Sequence, residues 1–167
     1  RKVISIIKEQ KSTMIVEAIH YNITEGKYDS DIFTVKSKMD FDRAYEAKKH
    51  ITDYVFSDSK GERQFAHDLD EANEVVVYAK LPRTFQIPTP VGNYAPDWAI
   101  AFNKGTVKHI FFIAETKGSM DSMELRGVEN AKIACAEKLF NEISKTNVRY
   151  IVVNHGSYDQ LRDMLTK

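Results

Sequence analysis

Cysteine is nearly missing from this sequence. Cys135 is the single one in 167 residues, which excludes a disulfide framework and any zinc or iron–sulfur site built on several thiolates. A reducing, cytoplasmic setting is the expectation. Proline and glycine are sparse, at 4 and 7, so the chain is neither collagen-like nor low-complexity. No apolar run reaches about 18 residues, so no membrane-spanning helix is expected. An excess of one charge is lacking too. The 24 Lys plus Arg match 24 Asp plus Glu, for a formal net charge of zero. Residues 1–53 carry 10 basic and 9 acidic side chains and the remainder 14 and 15, so there is no basic arm. Nucleic-acid binders commonly advertise themselves by charge, and neutrality weighs against that class.

What is present is an ordinary folded composition, 43% hydrophobic and 29% charged, long enough for one domain with an appendage. The chain opens Arg1-Lys2-Val3 without an initiator Met or a leader, and reads as a piece of something longer. In residues 1–53 the apolar runs Val3–Ile7 and Met14–Ile19 suggest two strands of a small sheet. Asp40 to Glu46 then reads as a helix start with acid in its first turn, with Phe41, Tyr45, Ile51 and Val55 as one apolar stripe. The division expected is an N-terminal extension over 1–53 and a domain over 54–167.

The second part is more regular. Ser59-Lys60-Gly61-Glu62 is a capping-box pattern, and Phe65, Ala66 and Leu69 follow at helical spacing. Glu74 to Lys80 reads as a strand, and Pro82, Pro88, Pro90 and Gly92 limit any strand near Thr84 to Ile87. Trp98 to Phe102 is a buried strand and His109 to Ala114, apolar on both faces, a central one. Val128, Ala131, Cys135, Leu139 and Ile143 fall three and four apart, giving a helix from Leu125 to Ile143. Val148 to Val153 is a further strand and Tyr158 to Leu165 a last short helix. The order is helix, three strands, helix, strand: an α/β domain around a central mixed sheet.

Two places set ionisable residues against strands that otherwise want burial: Pro96-Asp97, before Trp98, and Glu115-Thr116-Lys117, closing the most apolar strand. If those strands are hairpin neighbours joined through Asn103 to Lys108, Asp97 and Glu115 approach within the span of one hydrated divalent cation. One or two carboxylates plus water suffice for Mg²⁺. An acid-x-Lys pattern alone means little, since about two matches arise by chance and this chain has five. Only Glu115-Thr116-Lys117 closes a buried strand downstream of a Pro-Asp pair.

With these residues in this order, the sequence resembles the PD-(D/E)xK nuclease superfamily. The stretches Lys80-Leu81-Pro82, Thr89 through Pro96-Asp97-Trp98-Ala99-Ile100, Glu115 through Ser119 and Lys132 through Ala136 resemble more narrowly the C-terminal endonuclease domain of the restriction (Res) subunit of type III restriction enzymes. The similarity covers about residues 54–155. It implies a restriction-endonuclease-like core and a Mg²⁺-dependent endonuclease acting on double-stranded DNA. It also implies a helicase-like motor in the same parent chain and a methyltransferase partner subunit. The sequence contains no Gly-x-x-x-x-Gly-Lys-Ser/Thr phosphate loop, so ATP would belong to that motor.

On this resemblance Asp97, Glu115 and Lys117 are catalytic. Asp97 and Glu115 hold Mg²⁺, the Thr116 carbonyl completes the inner shell, and Lys117 orients the attacking water or offsets phosphoryl charge. Glu62 has two readings, a third carboxylate or the helix cap. Lys132 is a phosphate contact or part of a solvated face. Tyr94 and Arg83 are read as turn and surface residues before DNA contacts, Trp98 as core, Cys135 as buried and inert, and His155 as a turn residue without partner histidines. Two rival functions remain: a docking domain that keeps a nuclease fold without cutting, and an exonuclease or junction resolvase of the same superfamily. Neutral charge is compatible with cutting if carboxylates gathered for a metal offset the basic residues and DNA is gripped elsewhere.

Overall fold

The computed structural model describes Val3, Ile6, Gln10, Met14 and residues 16–22, 29–33, 44–104, 107–116, 123–143, 148–154 and 157–165. For 30, 104, 107–116, 123–126, 143, 154, 164 and 165 it describes the backbone alone. After a 3₁₀ turn at Ser30–Phe33 come β1 (Ala44–Glu46), β2 (Tyr54–Phe56), α1 (Lys60–Glu71), β3 (Val75–Lys80), β4 (Trp98–Lys104) and β5 (Val107–Thr116). The chain continues through α2 (Met123–Ile143), β6 (Val148–Asn154) and α3 (Tyr158–Leu165).

Four strands form one sheet in the order β3-β4-β5-β6. The first three run antiparallel, and β6 pairs parallel to β5 after the α2 crossover. Alternation along β4 separates two cores. Trp98, Ile100 and Phe102 are each 1% exposed and join Phe65 and Leu69 of α1, Tyr78 of β3, Ile151 and Val153 of β6 and Leu161 of α3. The Trp98 ring meets Phe65 edge-on, 5.5 Å between centroids, an arrangement aromatic quadrupoles favour. The second core gathers Ala136 and Phe140 of α2 with Ile87 and Tyr94, and Tyr150 of β6 packs against it. Thus α1 and α3 share one hydrophobic core with the sheet, and α2 helps build the other.

Helix α1 begins as its sequence predicts. Ser59 is the N-cap, its Oγ accepting the Glu62 N–H at 3.1 Å, and the helix buries Phe65, Ala66 and Leu69. The expected strands from Glu74, Trp98, His109 and Val148 are all present, as are the helices from Leu125 and Tyr158. The stretch Thr84 to Ile87 keeps only a bridge, Ile87 with Tyr94.

Two expectations for the first part are corrected. Instead of a helix carrying Tyr45 and Val55, the chain forms the antiparallel pair β1–β2, with Tyr45 opposite Val55. The cause is tertiary: the Asp70 carboxylate accepts the N–H groups of Lys48 and Lys49 at 3.1 and 2.9 Å, donors an α-helix would spend on its own carbonyls. Burial of Asp70 works against its charge, but these backbone donors prevail and hold its pKa below the usual carboxylate value. Phe41 lies outside the described residues. The second concerns the two apolar runs near the start, whose described residues Val3, Ile6, Met14 and Val16–Ala18 are helical rather than extended. The β1–β2 pair straddles residue 53.

Candidate active site

The sheet has one end where β3 and β5 finish and β4 begins. Lys80 pairs with Trp98, and Trp98 pairs with Ile113. Asp97 therefore stands one residue outside the ladder, while Glu115 follows Ile113 by two along the neighbouring strand. The Leu81 N–H donates to the Asp97 carbonyl at 2.8 Å, which fixes the Asp97 backbone against β3. On the other side of β5, Glu115 is in register with Val153 and Thr116 with Asn154. The hairpin reading of the sequence thus holds at backbone level: Asp97, Glu115 and Thr116 are brought to one sheet end, on strands spaced by about 4.8 Å. Lys117 lies outside the described residues, as does His155.

The loop into Asp97 is tightly built. Pro90 and Gly92 occupy a turn closed by the Gly92 N–H on the Thr89 carbonyl at 3.1 Å, and the Thr89 hydroxyl bonds the Gly92 carbonyl. Gly92 has φ +111°, and its open α-carbon faces Lys132 Cε, 3.8 Å from where a Cβ would sit. Beyond it, Ile87 and Tyr94 exchange both backbone hydrogen bonds, at 2.7 and 2.9 Å. Tyr94 is 5% exposed, and its hydroxyl meets that of Tyr150 at 2.7 Å. Burial pushes the Tyr94 hydroxyl well above its ordinary pKa, with the charges of Asp97 and Glu129 adding to the rise. Both carboxylates therefore lie near Tyr94, and Lys132 Nζ is 3.9 Å from Glu129. Lys132 thus borders the loop that delivers Asp97. Tyr94 and Trp98 are core residues, while the Arg83 side chain is 88% exposed and lies 3.8 Å from Asp58.

Glu62 reaches the same sheet end from α1. It is 1% exposed, and its Oε2 accepts from Lys80 Nζ at 2.6 Å and from the Asp58 N–H at 2.8 Å. Lys80 Nζ also donates to the Phe56 carbonyl at 3.1 Å and lies 6.0 Å from the Trp98 ring centroid. Lys80 was singled out in the sequence only within the stretch Lys80-Leu81-Pro82, with no role of its own. Its signal was faint, a lysine ending an otherwise apolar strand next to a Pro-bearing turn.

Among the described residues no group of three or more His, Cys, Asp and Glu could hold a metal ion. Magnesium does not require three, because it keeps most of its waters and takes one or two carboxylates. Cys135 is fully buried, and burial raises its thiol pKa, which suits an inert core residue.

The family model described as "Endonuclease domain" matches residues 48–156. The chain belongs to this endonuclease-domain family. Within curated proteins, it is 34% identical over 121 residues to the EcoP15I Res subunit of a type III restriction-modification enzyme from Escherichia coli. That alignment takes in 70% of this chain and 12% of the relative. It is 36% identical over 99 residues to the EcoPI Res subunit of Escherichia phage P1, covering 58% of this chain and 10% of the relative. The chain therefore spans about a tenth of the length of these relatives. No solved structure matches it significantly. The endonuclease-domain match takes in Glu62, Asp97, Glu115, Lys117 and Lys132 and begins before β2.

Proposed function

We propose that this chain is the DNA-cleaving domain of a type III restriction enzyme, a Mg²⁺-dependent endonuclease of the PD-(D/E)xK type with a restriction-endonuclease-like core. The observation that carries the reading is the placement of Asp97 and Glu115 at one end of paired strands β4 and β5, within a chain of the endonuclease-domain family. On this reading residues 54–167 are the nuclease domain and residues 1–53 the extension toward a helicase-like motor in the parent chain, with Tyr21 of the extension hydrogen-bonded to Glu142 of α2; a methyltransferase subunit is the expected partner.

Asp97 and Glu115 would hold the cation, with the Thr116 carbonyl beside them. When bound, Mg²⁺ polarises the phosphate and lowers the pKa of water. Asp97 and Glu115 would hold that centre beside the scissile phosphodiester. Lys117 holds the attacking water in line or offsets charge growing on the phosphoryl oxygens. Lys132 would meet a flanking phosphate. The domain needs no basic field if the motor carries the grip on DNA.

Calorimetric titration with Mn²⁺, compared between the natural chain and its Asp97→Ala and Glu115→Ala variants, tests the reading. Binding that weakens by about tenfold or more in both variants supports it. Absence of binding, or binding indifferent to both, would instead support a docking domain that keeps the nuclease fold.

A further inference from the structure

Among the described residues, Glu62 and Lys80 are the most enclosed ion pair at the site end of the sheet, at 1% and 20% side-chain exposure. Three chain segments converge on them. Glu62 belongs to the first turn of α1, the Asp58 N–H and the Phe56 carbonyl come from the end of β2 and the connection to α1, and Lys80 closes β3. The Lys80 backbone pairs with Trp98, and the next N–H, from Leu81, holds the Asp97 carbonyl. Asp58 Oδ2 lies 3.7 Å from Nζ and 3.8 Å from Arg83, so two acids and two bases balance around the strand end.

A divalent ion bound by Glu62 would lie within a few ångströms of an ammonium group already 2.6 Å from that carboxylate. Like charges repel strongly where water is scarce, and the Lys80 ammonium already offsets charge at Glu62 Oε2. We infer that Glu62 is not a metal ligand, and that the Glu62–Lys80 pair is a clamp in which Lys80 is the positioning residue for Asp97. This inference rests on the nuclease reading and deepens it. The clamp locks α1 and the β2 end onto β3, and β3 carries Asp97 through the Leu81 bond. On the nuclease reading the carboxylates left to the metal centre are then Asp97 and Glu115, with the Thr116 carbonyl beside them.

The test uses the parent enzyme carrying Glu62→Gln, Lys80→Met, both together, or Asp97→Asn, read by Mn²⁺ calorimetry, melting temperature and DNA cleavage kinetics. Glu62→Gln is expected to keep Mn²⁺ affinity within about twofold, while Asp97→Asn loses about tenfold or more. Lys80→Met strands a buried carboxylate, so the double variant melts at a higher temperature than Lys80→Met alone. In that double variant kcat stays reduced about tenfold or more, with KM for DNA unchanged. A tenfold loss of Mn²⁺ affinity in Glu62→Gln overturns the clamp in favour of a ligand. Melting temperatures that simply add would overturn the pairing, and a rate that recovers with stability would reduce Lys80 to a structural role. If the natural enzyme binds no Mn²⁺, the nuclease reading fails, while the melting data still decide whether the two residues are coupled.

Discussion

The Leu81 N–H and the Asp97 carbonyl are joined at 2.8 Å, one step past the last Lys80–Trp98 pair of the β3–β4 ladder. The Asp97 backbone is thus anchored to the sheet. Replacing the carboxylate by the amide of the same shape keeps this backbone bond and should leave the fold in place. Asp97→Asn is expected to change unfolding free energy by no more than about 1 kcal/mol. A denaturant titration showing a much larger loss would mean that the side chain itself holds the loop.

The hydroxyls of Tyr94 and Tyr150, 2.7 Å apart between the sheet and α2, form a buried polar pair in an apolar core. Either single Phe substitution leaves the other hydroxyl without this partner and should cost about 1–2 kcal/mol. The double substitution removes both and should cost clearly less than the sum of the two. Additive losses in a double-mutant cycle would show that the hydroxyls act independently.

His50 links pH to the β3 end. Its Nε2 accepts the Lys80 N–H at 2.9 Å, and its Nδ1 lies 2.9 Å from the Thr52 hydroxyl and 3.1 Å from the Thr52 N–H nitrogen. Burial lowers its pKa below the ordinary 6.5. A histidine with a depressed folded pKa contributes stability that is full above the unfolded value and is lost as pH falls through the folded one. Melting temperature should fall on acidification below about pH 6.5, and His50→Gln should remove part of that slope. An unchanged slope would remove His50 from the acid response.

Gly92 sits at φ +111°, but a Cβ there would meet only Lys132 Cε, at an ordinary 3.8 Å. The cost of Gly92→Ala is therefore conformational, about 1 kcal/mol. Lys132→Ala in the same chain should give no relief. Relief, measured by thermal unfolding, would point to crowding instead.

Much of the site was legible because it depends on local pattern. A capping serine three residues before Glu62 marks α1, and two apolar runs separated by Asn103 to Lys108 mark the hairpin that brings Asp97 and Glu115 to one end. The misread parts depend on distant partners. Lys48 and Lys49 give their N–H groups to Asp70, more than 20 residues away, and no local window contains that competition. Lys80 shows the same limit from the site's side. Alone it is a lysine at a strand end, and it becomes a clamp only when α1 docks Glu62 against it. Near the start, the β-branched residues Val3, Ile6 and Val16 favour strands by composition, yet the described residues there are helical.

The central claim is that Asp97, Glu115 and Lys117 cut DNA with Mg²⁺. Its most direct measurement is the cleavage rate of double-stranded DNA by the assembled parent enzyme carrying Asp97→Ala or Lys117→Ala, over a range of Mg²⁺ concentrations. The account predicts that both folded variants lose cleavage by a factor of about 1000 or more at every Mg²⁺ concentration, while any ATP hydrolysis by the parent enzyme persists. Cleavage retained by either variant at a rate near that of the natural enzyme would contradict it.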